Sequence, residues 1–155
     1  MKKIVNMLHL PKEFLLFLYG GVGYMLIEFL YRGYSHPSMF ILGGLCFIII
    51  GAINETFPWC MPLVSQMTIS AVTVTALELI FGFILNIWLK LDVWDYSNMP
   101  YNFYGQICLL FSIFWFFLSL VAIFIDDWLR FKLYDEEFPS YCIFYCTRHS
   151  DLMTK

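Results

Sequence analysis

Charged residues are scarce in this sequence. They make up 14% of the 155 residues, whereas soluble domains carry about 25%. The formal net charge is −3, and the few Lys and Arg residues form no cluster that could neutralise a nucleic-acid backbone. Nucleic acid is therefore not a predicted partner.

Several sequence motifs of soluble enzymes and metal sites are also missing. There is no Gly-rich phosphate-binding loop and no nucleophile elbow centred on Ser. The five cysteines are odd in number and irregularly spaced, so they do not indicate a disulfide framework. Cys142, Cys146 and His149 match a zinc site only weakly. Neither a metal nor another cofactor is predicted.

Apolar residues dominate the chain, with 61% hydrophobic and 21% aromatic residues. A soluble domain of this size leaves roughly a third of its surface exposed and could not bury so many of them. A helix that crosses a bilayer needs about 20 mostly apolar residues. The chain contains four such stretches, at about 14–34, 38–56, 66–91 and 105–129.

These stretches predict an all-α integral membrane protein, a bundle of about four transmembrane helices. The bundle is expected to occupy residues 1–133, and a short cytoplasmic tail with an amphipathic helix is expected at 134–155. Residues 1–10 are expected to form a short cytoplasmic leader, because Pro11 interrupts them too early for a signal peptide.

Basic residues flank the first and last spans and so predict the orientation of the bundle. Lys2, Lys3 and Lys12 precede the first span, and Arg130 and Lys132 follow the last. Because cytoplasmic loops are enriched in Lys and Arg, both termini are predicted to be cytoplasmic. The predicted location is the cell membrane, crossed several times.

Two charged residues lie near the end of the first span. Glu28 and Arg32 are four residues apart, so they share one helical face and can pair. His36 follows just outside the span. One interpretation is a polar site that opens toward the outer leaflet. The other is a self-neutralised pair whose arginine reaches the interface.

The third span carries a polar stripe around Glu78. Thr75 and Gly82 lie one turn to either side, and Asn86 lies one turn further on. Thr75 and Asn86 alone are typical of hydrogen bonds between helices. A carboxylate in lipid is more costly, so Glu78 is expected to be neutral or paired. Arg32 is the one basic residue expected to reach it.

The loop at 92–102 is rich in aromatic and turn-forming residues and includes Trp94 and Asp95. It is either an interfacial turn or a lid over the polar cluster, with Asp95 directed at Arg32 or His36. Small residues in the second and fourth spans, such as Gly43 and Ser119, favour close helix packing. The candidate binding cluster is Glu28, Arg32, His36, Glu78, Asn86, Trp94 and Asp95.

Several segments of the chain resemble one known family. The resemblance covers roughly residues 19–127, and its most specific parts are Arg32 to Pro37 and Trp94-Asp95-Tyr96-Ser97. These segments resemble the bacterial ABC-transporter permease family that is also called CmpB-like or type IV. The resemblance implies a small membrane permease partnered by a separate ATPase subunit.

Three functions are compatible with these patterns. The first is a transport component, working with an ATPase, surrounded by membrane lipids and assembled as a homo-oligomer. The second is an intramembrane enzyme acting on a lipid or isoprenoid, with Glu28, Glu78, His36 and Asp95 as acid and base groups and Arg32 holding an anionic headgroup. The third is a structural or regulatory membrane protein. The resemblance places transport first, and the substrate is not predicted.

Overall fold

Four α-helices carry most of the regular structure in the computed structural model, which describes residues 11–56, 61–137 and 141–143. The side chains of Asn54 and Glu55 are outside that description. The helices are α1 (Lys12–Arg32), α2 (Pro37–Thr56), α3 (Leu63–Gly82) and α4 (Leu109–Tyr134). The two strands found there are β1 (Asn102–Phe103) and β2 (Ile107–Cys108), two residues each. The predicted all-α class is thereby confirmed.

Proline marks the start of three helices. Pro11 and Pro62 directly precede α1 and α3, and Pro37 is the first residue of α2. The fixed φ of proline suits a helix start, where its missing N–H is not needed. At the other end of α1, Gly33 adopts a left-handed φ of 78°, and its N–H bonds to the carbonyl of Phe29.

Three helical stretches are long and apolar enough to cross a membrane: Lys12–Arg32, Leu63–Trp88 and Leu109–Tyr134. The second stretch is α3 together with a π-helical segment, Phe83–Trp88, which continues it without a break. The apolar part of α2, Pro37–Ile53, is shorter. The 26 residues of α4 extend about 39 Å, which exceeds the roughly 30 Å hydrocarbon core.

The helices pack as two hairpins. α1 makes its most extensive contacts with α2, and α3 makes its most extensive contacts with α4. Within the first hairpin, a Cβ added to Gly20 would lie 2.2 Å from Cβ of Phe47, and one added to Gly43 would lie 2.3 Å from Cβ of Tyr24. The predicted close packing at Gly43 is confirmed, and Gly20 makes the matching close approach from α1. Between the hairpins, α1 and α4 touch only sparsely and leave a cleft.

The fourth helix differs from its predicted bounds. It begins at Leu109 rather than near Gly105, because residues 102–108 form a small antiparallel hairpin in which Gly105 has a φ of 68°. It continues to Tyr134, past the predicted exit at 129. Asp126, Asp127 and Arg130 are buried rather than exposed at a helix end, because they bond to one another and to neighbouring elements.

The C-terminal segment returns to the bundle. The backbone carbonyl of Cys142 accepts a hydrogen bond of 2.7 Å from the N–H of Leu63 at the start of α3. Residues 135–137 and 141–143 are not helical, which differs from the amphipathic helix predicted for the tail. The rest of that prediction, the leader at 1–10, and Cys146 and His149 lie outside the described residues.

Candidate functional site

An ion pair occupies the last turns of α1. The guanidinium of Arg32 donates to Oε1 of Glu28, and the hydroxyl of Ser35 donates to Oε2 of the same carboxylate. The other amino group of Arg32 donates to the carbonyl of Val93 at 2.7 Å. The predicted pairing of Glu28 with Arg32 is present, and Arg32 also attaches α1 to the loop after α3.

A second carboxylate lies deep within the bundle. Glu78 on α3 is 1% exposed. Its Oε1 accepts a bond of 3.0 Å from the hydroxyl of Tyr96, and its Oε2 accepts a bond of 3.0 Å from the indole N–H of Trp115. Both donors are neutral. Arg32, the predicted counter-ion, is held by Glu28 and Val93 instead, so Glu78 forms no ion pair with any residue of the described ranges.

The Tyr96 hydroxyl stays protonated and donates a hydrogen bond to Glu78. Burial raises the pKa of the Tyr96 phenol, and the nearby Glu78 carboxylate raises it further. The ring also stacks on Phe111, with centroids 4.6 Å apart. Because the phenol stays protonated, the loop that carries Tyr96 is fixed to the middle of α3 through this hydrogen bond.

A cavity of about 470 Å³ joins these groups. Glu28, Arg32 and Trp94 line it, as do Tyr96 and Trp115, the two donors to Glu78. Glu78 itself lies directly behind those two rings. The structure therefore brings three of the seven predicted site residues to one cavity between α1, α4 and the loop at 89–101, and Glu78 adjoins it through its two donors.

The Tyr24 side chain lies near the carboxylates of both Glu28 and Glu78. Its ring stacks on that of Trp115 at 5.6 Å with an angle of 24°, and it lies within electrostatic range of both Glu28 and Glu78. Sequence reasoning overlooked Trp115. Its signal was an N–H donor in the middle of an otherwise apolar span, where an indole needs a partner when buried.

Asn86 organises the loop and does not line the cavity. Its amide N–H₂ donates to the carbonyl of Trp94 at 2.9 Å and to Oε1 of Gln106 at 2.8 Å, and its Oδ1 accepts from the N–H of Val93 at 2.7 Å. The indole of Trp94 donates to the carbonyl of Gln106 at 2.9 Å. Asn86 and Gln106 therefore position the backbone that receives Arg32.

Two predicted site residues lie elsewhere. His36 caps α2, since its Nδ1 accepts from the N–H of Ser38 at 3.3 Å and lies 2.7 Å from that residue's hydroxyl. Asp95 is exposed, and its Oδ1 accepts from the N–H and hydroxyl of Ser97 at 2.8 and 2.5 Å. These hydrogen bonds lower the pKa of Asp95. The predicted contact of Asp95 with Arg32 or His36 is not formed, because the carboxylate closes a turn within its own loop.

The opposite end of the bundle holds another polar cluster. Arg130 donates to Asp126 at 2.5 Å and lies 3.9 Å from Glu136, which also pairs with Lys12. Tyr141 donates to the neighbouring Asp127. Burial raises the pKa of Tyr141, and its bond to that carboxylate raises it further. The cluster links α1, α4 and the C-terminal segment.

No group of three or more His, Cys, Asp or Glu side chains within residues 11–56, 61–137 and 141–143 is arranged to hold a metal ion. The cavity is lined by the Glu28–Arg32 ion pair and by aromatic side chains such as Tyr24 and Trp115.

A family model described as "Putative ABC-transporter type IV" matches residues 14–147. The match includes α2, α3, α4 and all of α1 except its first two residues, together with the cavity and the loop that closes it. No curated protein and no solved structure matches the chain.

Proposed function

The chain belongs to the family described as "Putative ABC-transporter type IV", and from that premise we propose that it is the membrane permease component of an ATP-driven transporter. The family and the three long apolar helices make it a membrane protein related to transporters. The proposal adds that substrate binds in the cavity beside Glu28 and Arg32.

The cavity is the observation that carries the proposal. Charged groups inside a bilayer are costly and usually face a site or a pathway. Here an ion pair lines a space of about 470 Å³, and a third ionisable group, the Glu78 carboxyl, adjoins it through Tyr96 and Trp115. A bundle that needed carboxylates only for helix contacts would not require open space next to them.

The predicted site residues take different roles in this proposal. Glu28 and Arg32 supply the charge that a substrate meets, and Trp94 forms part of the wall. Glu78 acts on the cavity through its donors Tyr96 and Trp115. Asn86 acts on the site indirectly, because it holds the loop that contains Val93 and Trp94. His36 fixes the start of α2 through Ser38. Asp95 shapes the loop through Ser97 and is assigned no substrate contact.

The assembly follows from the chain's size and composition. The sequence carries no nucleotide-binding motif, so ATP hydrolysis is assigned to a separate subunit. We place the termini and the Asp126–Arg130 cluster on the cytoplasmic side of the cell membrane, where that subunit would dock. Four helices enclose little volume, so two or more copies surrounded by lipid would form the pathway.

The test is purification of the tagged chain from its native membranes, followed by an assay for vanadate-sensitive ATP hydrolysis. We expect the activity to co-purify with the chain, and we expect a deletion strain to change its uptake or export of solutes. Glu78→Gln should fail to restore transport although it inserts and folds. Glu13→Gln, the same change at an exposed position of α1 away from the cavity, should restore it.

Two results would contradict the proposal. If no ATPase co-purified and deletion altered no uptake or export, the permease assignment would be wrong. If Glu78→Gln folded and restored transport fully, the carboxylate would be a helix contact, and the structural interpretation would replace a binding role for Glu78.

A further inference from the structure

Aromatic rings form most of the cavity wall around the ion pair. Two stacked pairs belong to this wall: Tyr24 with Trp115, and Tyr96 with Phe111, the latter with centroids 4.6 Å apart. Tyr31 lies at the mouth, with its ring edge against Phe111 at 6.0 Å. The faces of such rings carry negative electrostatic potential and attract cations.

The formal charges around the cavity sum to a negative value when Glu78 is ionised. Glu28 and Arg32 neutralise each other. Within the part of the chain that the structure describes, Glu78 is bonded only to the neutral donors Tyr96 and Trp115. Both donors are themselves cavity walls. When Glu78 is ionised, these hydrogen bonds make both rings richer in electrons, which strengthens their attraction for a positive charge.

The same cleft continues as an apolar groove. A second cavity of about 340 Å³ shares Tyr24, Ile27 and Trp115 with the first and follows α1 and α4 away from the ion pair. Leu26 and Val121 on its rim are 58% and 50% exposed, so the groove opens on the lipid-facing surface. From residue 19 to residue 32, α1 rises about 20 Å, which exceeds the roughly 15 Å half-thickness of the hydrocarbon core.

We propose that this cleft binds a hydrophobic organic cation, in which a positively charged centre lies among the aromatic rings of Tyr24, Tyr96 and Trp115 and an apolar portion extends along the groove between α1 and α4. Quaternary ammonium compounds and hydrophobic amines belong to this class. The inference rests on the proposed function in one respect, because it names the substrate class of the same cavity. Glu78 balances the cation's charge, and the Glu28–Arg32 pair closes the end of the cleft.

The experiment uses two probes of matched shape and opposite charge, tetraphenylphosphonium and tetraphenylborate. Binding of each radiolabelled probe to the purified full-length chain in nonionic detergent is measured by equilibrium dialysis, with empty micelles as the blank. We expect saturable binding of the cation alone. Glu78→Gln should weaken it about tenfold or more. Glu13→Gln makes the same charge change at an exposed site at the far end of α1 and should leave it unchanged.

A variant at an exposed residue distinguishes a lost binding contact from a failure to fold. Tyr31 is 71% exposed at the cleft mouth, so Tyr31→Ala should fold normally and weaken cation binding several-fold through the lost ring face. Tyr31→Phe retains the ring and should restore the affinity.

Other results would overturn the inference. Saturable binding of tetraphenylborate that depends on Arg32 would show an anion site, and cation uptake no greater than that of empty micelles would show that no such site exists. The assay contains neither ATP nor an ATPase. A failure here therefore leaves the permease assignment standing, and a positive result without any co-purifying ATPase would retain the cation site and refute the permease.

Discussion

The indole Nε1 of Trp115 lies 3.0 Å from Oε2 of Glu78 and donates a hydrogen bond across the interface between α4 and α3. The two residues are 37 positions apart in sequence, and the side chains of both are almost completely buried. This bond joins the helices at the level where Tyr96 reaches the same carboxylate. It therefore links the stability of the second hairpin to the shape of the cavity.

Trp115→Phe should lower the free energy of unfolding by about 1–3 kcal/mol, since it leaves one carboxylate oxygen buried without a donor. Glu78→Gln should cost less in the Trp115→Phe background than in the wild-type protein, with a coupling of about 1 kcal/mol. Denaturation in detergent micelles measures both. Trp128→Phe, the same substitution at a position of α4 that is 46% exposed, is the control. Additivity within about 0.3 kcal/mol would argue that the bond contributes nothing.

Asn86→Asp should loosen the loop after α3. The carboxylate can still accept from the N–H of Val93, but it cannot donate to the carbonyl of Trp94 or to Gln106 as the amide does. The new carboxylate oxygen would then face the carbonyl oxygen of Trp94 and Oε1 of Gln106, and no hydrogen would lie between these acceptors. We expect faster amide hydrogen exchange at residues 93 and 94 and a weaker hydrogen bond from Arg32 to the carbonyl of Val93.

The comparison variant is Asn98→Asp, an equal change at an exposed position of the same loop, and its exchange should match that of the wild-type protein. Unchanged exchange in Asn86→Asp would show that Asn86 does not hold the loop.

The turn at Asp95 should depend on pH. The N–H and hydroxyl of Ser97 bond to the ionised carboxylate, and these bonds hold its pKa below the ordinary value of about 3.9. A lowered folded-state pKa means that the stabilising contribution is present above the ordinary value and is lost as the pH falls through the lowered one. Protection of the Ser97 amide from exchange, corrected for its intrinsic rate, should therefore decline only below about pH 4.

Asp95→Asn provides the matched control for this titration. Its amide oxygen accepts the same two bonds but does not ionise in this range, so protection at Ser97 should be independent of pH. A decline of equal size in both proteins would assign the effect to another group.

Part of the site could be predicted from sequence because it depends on local spacing. Glu28 and Arg32 lie four residues apart on a helix, and that spacing alone places them together. The same spacing relates Asp126 and Arg130, which pair near the end of α4. Burial against Gly51, where an added Cβ would lie 2.4 Å from the Asp126 carboxylate, is a property of the packed bundle.

The partners of Glu78 could not be predicted in this way. Tyr96 and Trp115 are 18 and 37 residues from it, and which face of α4 meets α3 depends on how the hairpins pack. Hydropathy gives the length of a span but not its rotation about its own axis. For Asp95, the local pattern Asp-x-Ser was already a signature of a side-chain turn, and it outweighed the long-range contact with Arg32 that the lid hypothesis required.

Gly20 and Gly23 should respond in opposite ways to the addition of a methyl group. On Gly20 the new Cβ would lie 2.2 Å from Cβ of Phe47 and 2.9 Å from the carbonyl oxygen of Gly43, so α1 and α2 would have to move apart. Gly20→Ala should destabilise the protein by about 1–3 kcal/mol.

On Gly23 nothing lies within 4 Å of the new Cβ, and alanine favours the helix by up to about 1 kcal/mol. Gly23→Ala should therefore be neutral or stabilising in the same detergent unfolding assay. Equal destabilisation by both variants would mean that α1 does not approach α2 through Gly20, and the two-hairpin arrangement that creates the cleft would be wrong.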